Sequence, residues 1–201
     1  EFRRELSTRA SQTILDNATG LFSRGYFMRA YPAELQRAQR AGRAVHALLL
    51  DLDQFGAFNE RFGIDAGDRL LVSIAHAISA TVVPSADVAS SNLVRRIGGE
   101  EFGVLYAEDD DLSAPPRPED AMALAEKIRA AVQETRVDGA GVTVSIGVAS
   151  LGRDASTGEE LLDAADAALS CAIEDGGNQV FAADKCRLRA SSASAPVADE
   201  S

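Results

Sequence analysis

Cysteine is scarce in this chain, which carries only Cys171 and Cys186 among its 201 residues. Two cysteines are too few for a disulfide framework or a zinc site, so we expect reduced thiols and a cytoplasmic setting. Long apolar runs are also missing, because none approaches the roughly 20 residues of a membrane-spanning helix. The opening residues, Glu1 to Arg4, are not those of a signal peptide. We therefore expect no membrane contact by this segment, although a chain without an initial Met can be part of a longer, membrane-tethered protein.

Basic residues are outnumbered as well. The chain has 20 Lys and Arg against 31 Asp and Glu, a formal net charge of −11. Such a balance disfavours a nonspecific grip on nucleic acid and attraction to an anionic membrane. We expect no nucleic-acid partner, and a polyanionic substrate would need a bound metal or a few well-placed cations.

The residues that are present suit one globular domain, because 46% of them are hydrophobic. Apolar periodicity and turn residues predict an ordered series of helices and strands. The predicted helices cover 26–41, a segment after 63–68 that ends near 82, a segment beginning at Pro118, and one beginning after Thr157 with a stripe of Leu161, Ala165, Leu169 and Ile173. The predicted strands are 45–53, 92–97, 102–106, 142–149 and 179–182. We expect a loop at 84–91 and an exposed connection at 107–118, and we assign no helix or strand to the polar and aromatic segment 54–62.

This order predicts an α+β fold of the ferredoxin-like, nucleotidyl-cyclase type, in which helices cover a mixed sheet and a β-hairpin carries the turn at residues 98–101. We place the domain at residues 16–183. Residues 1–15 have a weak helical pattern and are expected to be an incoming helix or linker from an upstream domain. Residues 184–201 are rich in Ser and Ala and are expected to be a disordered tail.

The predicted hairpin has two glycines and two carboxylates at its tip, Gly98, Gly99, Glu100 and Glu101. Adjacent glycines permit positive φ and close approach of a ligand, as a tight turn requires. A turn does not need two glutamates, whereas a hard divalent cation takes oxygen ligands and often carries substrate phosphates. A solvated acidic turn is the alternative explanation.

A second acidic group follows the strand predicted at 45–53. Its apolar run ends in Asp51, Leu52 and Asp53, as expected for a strand that is buried on both faces and meets solvent at its carboxyl end. If the hairpin lies beside this strand, Asp51 and Glu100 can share an oxygen cage for one or two cations.

These motifs together resemble the GGDEF-domain diguanylate cyclase family, with residues 98–102 in the GGEEF form of its signature. Residues 16–24 are similar to the family's opening turn D-x-L-T-G-L-x-N-R, with Ala18 and Ser23 as departures. Residues 51–68 follow its pattern D-x-D-x-F-x-x-x-N-(D/E)-x-x-G-x-x-x-G-D, apart from Ile64 at a frequent histidine. Residues 142–149 match its T-V-S-I-G-V-A strand. The resemblance covers nearly the whole predicted domain.

The resemblance implies condensation of two GTP molecules into cyclic di-GMP with release of pyrophosphate, across a homodimer that holds one GTP per protomer. It implies that Asp51, Glu100 and the backbone carbonyl of Leu52 bind Mg²⁺ or Mn²⁺, with Asp53 close by. The metal would lower the pKa of the attacking ribose 3′-hydroxyl. Glu101 is implied to assist deprotonation or metal binding.

Substrate contacts are implied at five further positions. Asn59 and Asp68 would read guanine, because a carboxylate accepts from its ring N–H and amino group. Gly98 and Gly99 would leave room for the phosphates, and Arg96 lies where a cation could reach them. Taken singly, each position is also explained by a turn, a cap or a surface ion pair.

Two features depart from the family. Its last helix normally carries a lysine and then G-R-N-R, but here the lysine position is Ile173 and the first arginine position is Gly177. Two phosphate-binding cations are thus missing, and charge-assisted contacts are worth about 1.5–3 kcal/mol each. Ile173 fits the apolar stripe of its predicted helix. We hypothesise that Lys185, Arg187 and Arg189 replace the lost charge.

The second departure concerns feedback. Many relatives carry R-x-x-D before the hairpin as a product-binding inhibitory site, whereas this chain has Ala89 and Asn92 at the two ends of that tetrapeptide. Alanine cannot offer the bidentate contacts of an arginine. We therefore expect no standard product inhibition.

The main alternative to an active cyclase is a degenerate GGDEF module. Such a module would bind GTP, cyclic di-GMP or a protein partner and signal without turnover. A nucleotidyl cyclase with a mononucleotide product is a more distant alternative, disfavoured by the implied guanine-reading pair.

Overall fold

A computed structural model describes residues 14–82, 92–107 and 118–193 of the chain. Its centre is a five-stranded sheet in the order β2-β3-β1-β4-β5, and the fold is α+β as predicted. The strands are β1 (Val45–Asp53), β2 (Leu93–Gly98), β3 (Glu101–Ala107), β4 (Thr143–Ser150) and β5 (Val180–Ala182). The helices are α1 (Arg24–Arg40), α2 (Phe55–Phe62), α3 (Ile64–Val82), α4 (Pro118–Glu134), α5 (Gly158–Glu174) and α6 (Ala183–Ala193).

Strand β1 is the middle strand, which explains its continuous apolar sequence. It pairs antiparallel with both β3 and β4, while β5 joins β4 in parallel. Helices cover both faces of the sheet, so both sets of alternating β1 side chains are buried. Only Asp51 and Asp53, near the carboxyl end, are partly exposed, and Leu52 between them is buried.

The two faces of the sheet carry separate cores. Leu48, Leu50 and Leu52 belong to the core shared with α3 and α4, whereas Ala47 and Leu49 belong to the core shared with α1, α5 and α6. Because side chains alternate along a strand, Asp51 and Asp53 continue the second face. The two carboxylates therefore emerge on the α5 side of the sheet.

Helix α5 begins with the capping box that the sequence predicts. The Thr157 side chain accepts from the Glu160 backbone N–H at 3.2 Å, and the Glu160 carboxylate accepts from the Thr157 N–H. Its buried stripe differs from the prediction at one end, because Ile173 is 46% exposed and the buried position is Ala172. Core packing therefore does not explain the isoleucine.

Three regions differ from the sequence-based expectations. Residues 55–62, to which we assigned no helix or strand, form helix α2, whose Phe55 and Phe58 are buried in the core shared with α3 and α4. Residues 183–193 form helix α6, where we expected a disordered tail from residue 184. Ile14 and Leu15 are not helical, since Leu15 forms a bridge with Phe22.

The cysteines also differ from expectation, because Cys171 of α5 and Cys186 of α6 form a disulfide. Their Cα atoms lie 6.1 Å apart, a separation suited to such a bond. The sequence contained two cysteines only 15 positions apart, but their pairing depends on α6, a helix that we did not predict.

Other predictions lie outside the described residues. They are the incoming helix over residues 1–13, the loops around 84–91 and 108–117 with Ala89 among them, and the last residues of the chain, 194–201. None of the described helices has the length and apolar character needed to cross a membrane.

Candidate functional site

Four carboxylates gather where β1 ends beside the hairpin of β2 and β3. Asp51 is the cross-strand partner of Glu101, and the Leu52 N–H donates to the Glu100 carbonyl oxygen at 3.4 Å. Asp53 follows two residues later on the same face of the sheet. The structure thus brings the end of β1 and the tip of the hairpin together.

The electrostatics of this cluster are unfavourable to a further negative charge. Partial burial and, after it, the negative charges of Glu100, Glu101 and Asp53 together raise the pKa of Asp51 to about 6. Proximity of like charges disfavours ionisation of each member. A cation among these oxygens would relieve that repulsion.

Asp53 is held in place by three donors. Its Oδ2 accepts from the Thr143 hydroxyl at 2.6 Å and from the Asn178 backbone N–H at 2.9 Å, and its Oδ1 accepts from the Ser145 hydroxyl at 2.6 Å. These contacts tie β1 to β4 and to the turn between α5 and β5. Asp53 is therefore better placed to orient the end of β1 than to give both oxygens to a ligand.

The hairpin turn is closed by Gly99 and Arg96. Gly99 has φ +53°, a conformation that L side chains rarely adopt, and a Cβ at Gly98 would meet no atom within 4 Å. The Arg96 guanidinium donates to the Gly99 carbonyl oxygen through Nε at 3.0 Å and Nη2 at 2.7 Å. In this arrangement Arg96 braces the turn that carries Glu100.

Arg96 also contacts the opening turn of the domain. Its Nη1 lies 3.4 Å from Oδ1 of Asp16, and the same oxygen accepts from the Thr19 N–H and hydroxyl at 2.9 and 2.7 Å. Burial by itself would raise the pKa of Asp16, but the Thr19 hydrogen bonds and the Arg96 charge hold it below its usual value. The cation that pairs with Asp16 is therefore Arg96, which lies 80 positions further along the chain.

The implied guanine-reading residues lie on neighbouring helices. Asn59 is on α2, and Asp68 is exposed near the start of α3. Asn59 packs so closely on Gly67 that a Cβ there would lie 1.8 Å from Asn59 Oδ1. Among the described residues, Asn59 Oδ1 is a buried acceptor without a hydrogen-bond partner, a condition that a ligand donor would remove.

The donor set at the end of β1 suits a hard cation. Asp51, Glu100 and the Leu52 carbonyl would supply three oxygens, and Mg²⁺ commonly takes one or two carboxylates and completes its shell with water and substrate phosphates. Within residues 14–82, 92–107 and 118–193, no three His, Cys, Asp or Glu side chains form a ready metal cluster. The residues present thus fit a cation that arrives with phosphates rather than one held by side chains alone.

At the two positions where the family carries phosphate-binding cations, this chain has Ile173 and Gly177, and the structure explains only the second. Ile173 is exposed on α5, and nothing in the described structure explains it. Gly177 has φ +75°, and a Cβ there would lie 2.8 Å from Asp53 Oδ1. This turn therefore disfavours any larger residue at 177, because both backbone conformation and space require glycine.

The hypothesised replacement cations on α6 lie mostly elsewhere. Arg187 pairs with Asp154 at 2.5 Å, beyond the carboxyl end of β4, and the Lys185 ammonium lies 4.8 Å from the ring centre of Phe181. Because β4 is antiparallel to β1, the carboxyl end of β4 lies beside the start of β1, at the opposite end of the strand from Asp53. Only Arg189, paired with Asp175 at 2.7 Å, lies near the turn that contacts Asp53.

Asn92, the one described end of the altered inhibitory tetrapeptide, serves the backbone. Its Oδ1 accepts from the Ala107 N–H at 3.0 Å, and its Nδ2 donates to the Val82 carbonyl oxygen at 3.4 Å. The side chain therefore joins the end of α3 to the end of β3.

Comparison with known proteins gives consistent matches. The family model "Diguanylate cyclase, GGDEF domain" matches residues 13–179. The chain is 32% identical over 175 residues to the probable diguanylate cyclase DgcT of Escherichia coli, covering 84% of this chain and 35% of DgcT. It is 33% identical over 184 residues to the response regulator PleD of Caulobacter vibrioides, covering 89% of this chain and 38% of PleD. The chain thus spans little more than a third of these relatives.

Among solved structures, the GGDEF domain of DgcB from Caulobacter crescentus in complex with c-di-GMP superimposes with a TM-score of 0.72. It is 25% identical, and the match covers 86% of this chain and 97% of DgcB's domain. The fold of this chain is therefore one that is also found in a solved GGDEF domain.

Proposed function

This chain belongs to the GGDEF domain family of diguanylate cyclases, and from that premise we propose that it condenses two GTP molecules into cyclic di-GMP and pyrophosphate. The observation that carries the proposal is the carboxylate group at the end of β1, where Asp51 and Glu101 are cross-strand partners and Glu100 lies beside Leu52. Its unbalanced negative charge and oxygen-only chemistry suit a phosphate-bearing Mg²⁺ or Mn²⁺.

In this proposal each residue has a distinct task. Asp51, Glu100 and the Leu52 carbonyl hold the cation, which when bound polarises the phosphates and favours the ribose 3′-alkoxide. Glu101 assists by removing the proton or by supporting the metal. Asp53, fixed by Thr143, Ser145 and Asn178, orients the end of β1.

The nucleotide would be oriented by groups beside this cluster. Asn59 and Asp68 read the guanine edge, and the unpartnered Asn59 Oδ1 supports a ligand donor there. Gly98 and Gly99 leave the hairpin tip open for phosphates. Because each protomer holds one GTP, the reaction needs a homodimer, and we propose that a sensory domain upstream of this segment controls its formation.

The decisive experiment incubates concentrated protein with GTP and Mg²⁺ or Mn²⁺ and measures cyclic di-GMP by chromatography and mass spectrometry. We expect product from the wild type, none after chelation of the metal, and at least a hundredfold loss in Glu100→Gln. Glu119→Gln, which changes an exposed carboxylate in the first turn of α4, is the matched control. Absence of cyclic di-GMP at high protein concentration would show that the protein is not an active cyclase.

A degenerate receptor module is the second candidate, and the exposed Ile173 and the glycine at 177 favour it. It would bind GTP or cyclic di-GMP, or a protein partner, without turnover. Titration with each nucleotide separates the two: binding without product supports the receptor, and product formation supports the cyclase.

We further propose that the tetrapeptide ending in Asn92 gives no product inhibition. The Asn92 side chain is already hydrogen-bonded to backbone groups of Val82 and Ala107, and position 89 is alanine. We expect the initial rate of product formation from GTP to be unchanged by micromolar cyclic di-GMP. Inhibition that disappears in Asn92→Ala would contradict this expectation, with thermal unfolding as the check on folding.

A further inference from the structure

A series of hydrogen bonds leads from helix α4 to the end of β1, where it reaches the carboxylate group through Asp53. The Arg129 guanidinium donates from Nη1 to the side-chain oxygen of Asn178 at 2.8 Å. The Asn178 backbone N–H in turn donates to Oδ2 of Asp53 at 2.9 Å. Arg129 lies 49 positions before Asn178 in the chain, so this connection exists only in the folded molecule.

We propose that Arg129 is a positioning residue for the carboxylate group, and that it acts through Asn178 on Asp53. This inference rests on the proposed function, since the group that it positions is the one assigned above to a divalent cation. Arg129 touches neither the cation nor the nucleotide, and its task is to fix the turn that holds Asp53. Its effect should therefore be measurable as a change in affinity for the cation.

The first argument concerns how firmly Arg129 is held. Its Nε donates to Glu126 Oε2 at 2.8 Å, and its Nη1 donates to Gln133 Oε1 at 3.0 Å. These partners lie on the preceding and following turns of α4, and the arginine side chain is only 23% exposed. Because the planar guanidinium is already oriented by its own helix, little further freedom is lost when it holds Asn178.

The second argument concerns the backbone of the turn between α5 and β5. Gly176, Gly177 and Asn178 have φ values of +106°, +75° and +52°, so three successive residues have positive φ. Glycine adopts such a conformation without strain, whereas a residue with a side chain adopts it at a cost. The bond from Arg129 ties the Asn178 side chain to α4 and so favours the conformation in which its N–H meets Asp53.

The third argument concerns what Asp53 does for its neighbours. Besides the Asn178 N–H, two hydroxyls of β4 donate to its carboxylate at 2.6 Å, so Asp53 is fixed from two sides. Asp53 is bonded directly to Leu52, whose carbonyl is a proposed cation ligand, and it shares a face of the sheet with Asp51. A shift of Asp53 would displace both proposed ligands, and Mg²⁺ requires nearly ideal octahedral geometry.

The test is titration of the protein with Mn²⁺ in the presence of a GTP analogue that cannot react at its α-phosphate, with free Mn²⁺ measured by electron paramagnetic resonance. We expect Arg129→Ala to bind Mn²⁺ at least fivefold more weakly than the wild type. Asn178→Gly should bind it about as weakly, because glycine keeps the N–H and permits positive φ but offers Arg129 no acceptor. The double variant should bind no more weakly than either single variant, since the two residues act in series.

The matched control is Arg153→Ala, which removes an arginine that pairs with Asp184 of α6. Arg153 follows the carboxyl end of β4, whereas Asp53 lies beside the start of that strand. We expect the Mn²⁺ affinity of this control to change less than twofold. Arg129→Lys keeps a charged donor and should recover part of the affinity that Arg129→Ala loses.

Thermal unfolding of each variant separates positioning from a merely structural role, which would lower the melting temperature without changing the affinity for Mn²⁺. An unchanged affinity in Arg129→Ala would overturn the inference, as would losses that add up in the double variant. An equal loss in the Arg153→Ala control, or no Mn²⁺ binding by the wild type, would also overturn it.

Activity distinguishes this inference from the proposed function. If the wild type makes cyclic di-GMP, Arg129→Ala should raise the Mg²⁺ concentration that gives half the maximal rate at least fivefold. Its kcat at saturating Mg²⁺ should change less than twofold. Product formation with unchanged Mn²⁺ affinity in this variant would overturn the positioning role and leave the cyclase standing. Mn²⁺ binding that depends on Arg129, without any cyclic di-GMP, would support the positioning role and contradict the cyclase.

Discussion

Asp51 shows at the scale of one residue how a site can oppose the stability of its fold. Three other carboxylates surround it, and burial together with their charges raises its pKa to about 6. The folded protein therefore holds this proton more tightly than the unfolded chain, whose aspartates titrate near ~3.9. Stability falls as the pH rises from about 4 to about 6, and the loss is complete above pH 6.

Asp51→Asn should therefore stabilise the protein at pH 7.5 and leave it nearly unchanged at pH 4. The rise in the pKa of Asp51 on folding would correspond to about 3 kcal/mol for a fully buried group. Because this side chain is only half buried, solvent screening reduces the expected gain in the free energy of unfolding to roughly 1–2 kcal/mol. Urea unfolding at both pH values measures the difference. Mg²⁺ at millimolar concentration should stabilise the wild type and have no such effect on the variant.

The exposed Asp166 of α5 provides the control, because Asp166→Asn removes one negative charge that is not among those raising the pKa of Asp51. It should change the free energy of unfolding by less than about 0.5 kcal/mol. If Asp51→Asn were no more stable than the wild type at pH 7.5, the proposed repulsion among the four carboxylates would be wrong.

At the scale of elements, the hairpin of β2 and β3 is joined to the start of the domain. Phe22 accepts from the Arg96 backbone N–H at 3.2 Å and donates to the Val94 carbonyl at 3.3 Å, so the opening turn continues the edge of the sheet. The Arg96 side chain then links Asp16 to the Gly99 carbonyl. A displacement of the opening turn would thus also displace the tip of the β2–β3 hairpin, which carries Glu100.

Arg96→Ala should loosen this tip before any substrate binds. Loss of the two donors to Gly99 leaves its carbonyl to solvent, and we expect amide hydrogen exchange at residues 99–101 to accelerate at least tenfold. Asp16→Asn keeps both donors to Gly99 and should accelerate exchange less. Unchanged exchange in Arg96→Ala would show that the arginine does not brace the turn and would favour a role confined to phosphate binding.

Helices α5 and α6 form a second pair of linked elements. The Cys171–Cys186 disulfide connects them, and the Arg189–Asp175 ion pair lies nearby at 2.7 Å. Helix α5 leads into the turn whose Asn178 N–H holds Asp53. The disulfide therefore stabilises a helix pair that ends at the candidate site.

Reduction of this disulfide should lower stability. A crosslink that closes 15 residues contributes about 3 kcal/mol through the entropy of the unfolded chain. We expect the melting temperature to fall by several degrees in a dithiol reductant, while Cys171→Ser/Cys186→Ser is insensitive to reductant and resembles the reduced wild type. Equal melting temperatures of oxidised and reduced wild type would show that the bond contributes nothing.

At the scale of the whole molecule, the negative net charge and the proposed single GTP site per protomer bear on assembly. A net charge of −11 opposes close approach of two protomers at low ionic strength. Cations bound with GTP at the carboxylate group would reduce that repulsion. The dimer that we propose is therefore expected to be weak in isolation and favoured by metal-bound substrate.

The specific activity of the proposed cyclase should consequently rise with protein concentration. A dilution series assayed with GTP and Mg²⁺ measures the rate per protomer, and analytical ultracentrifugation reports the dimer fraction under the same conditions. The two should rise together. A rate per protomer that stays constant while the protein dissociates into monomers would exclude catalysis across a homodimer.

Much of the fold and part of the site could be predicted from local patterns. The apolar run 45–53 gave a buried strand, alternation gave β4, and Thr157 with Glu160 gave the start of α5. Helix α2 was not predicted, because its eight residues begin after a left-handed Gln54 and carry no cap signal. Helix α6 was not predicted either, since its Ser and Ala content also suits a disordered tail.

The sequence by itself determined the strand that ends in Asp51 and Asp53, the glycine-glutamate hairpin and the family, because these depend on periodicity and on motifs contiguous in the chain. Only the tertiary structure decided that Asp16 pairs with Arg96 and that Asp53 is held by β4. Those contacts join residues distant in the chain, and their partners depend on how helices and strands pack rather than on any local pattern.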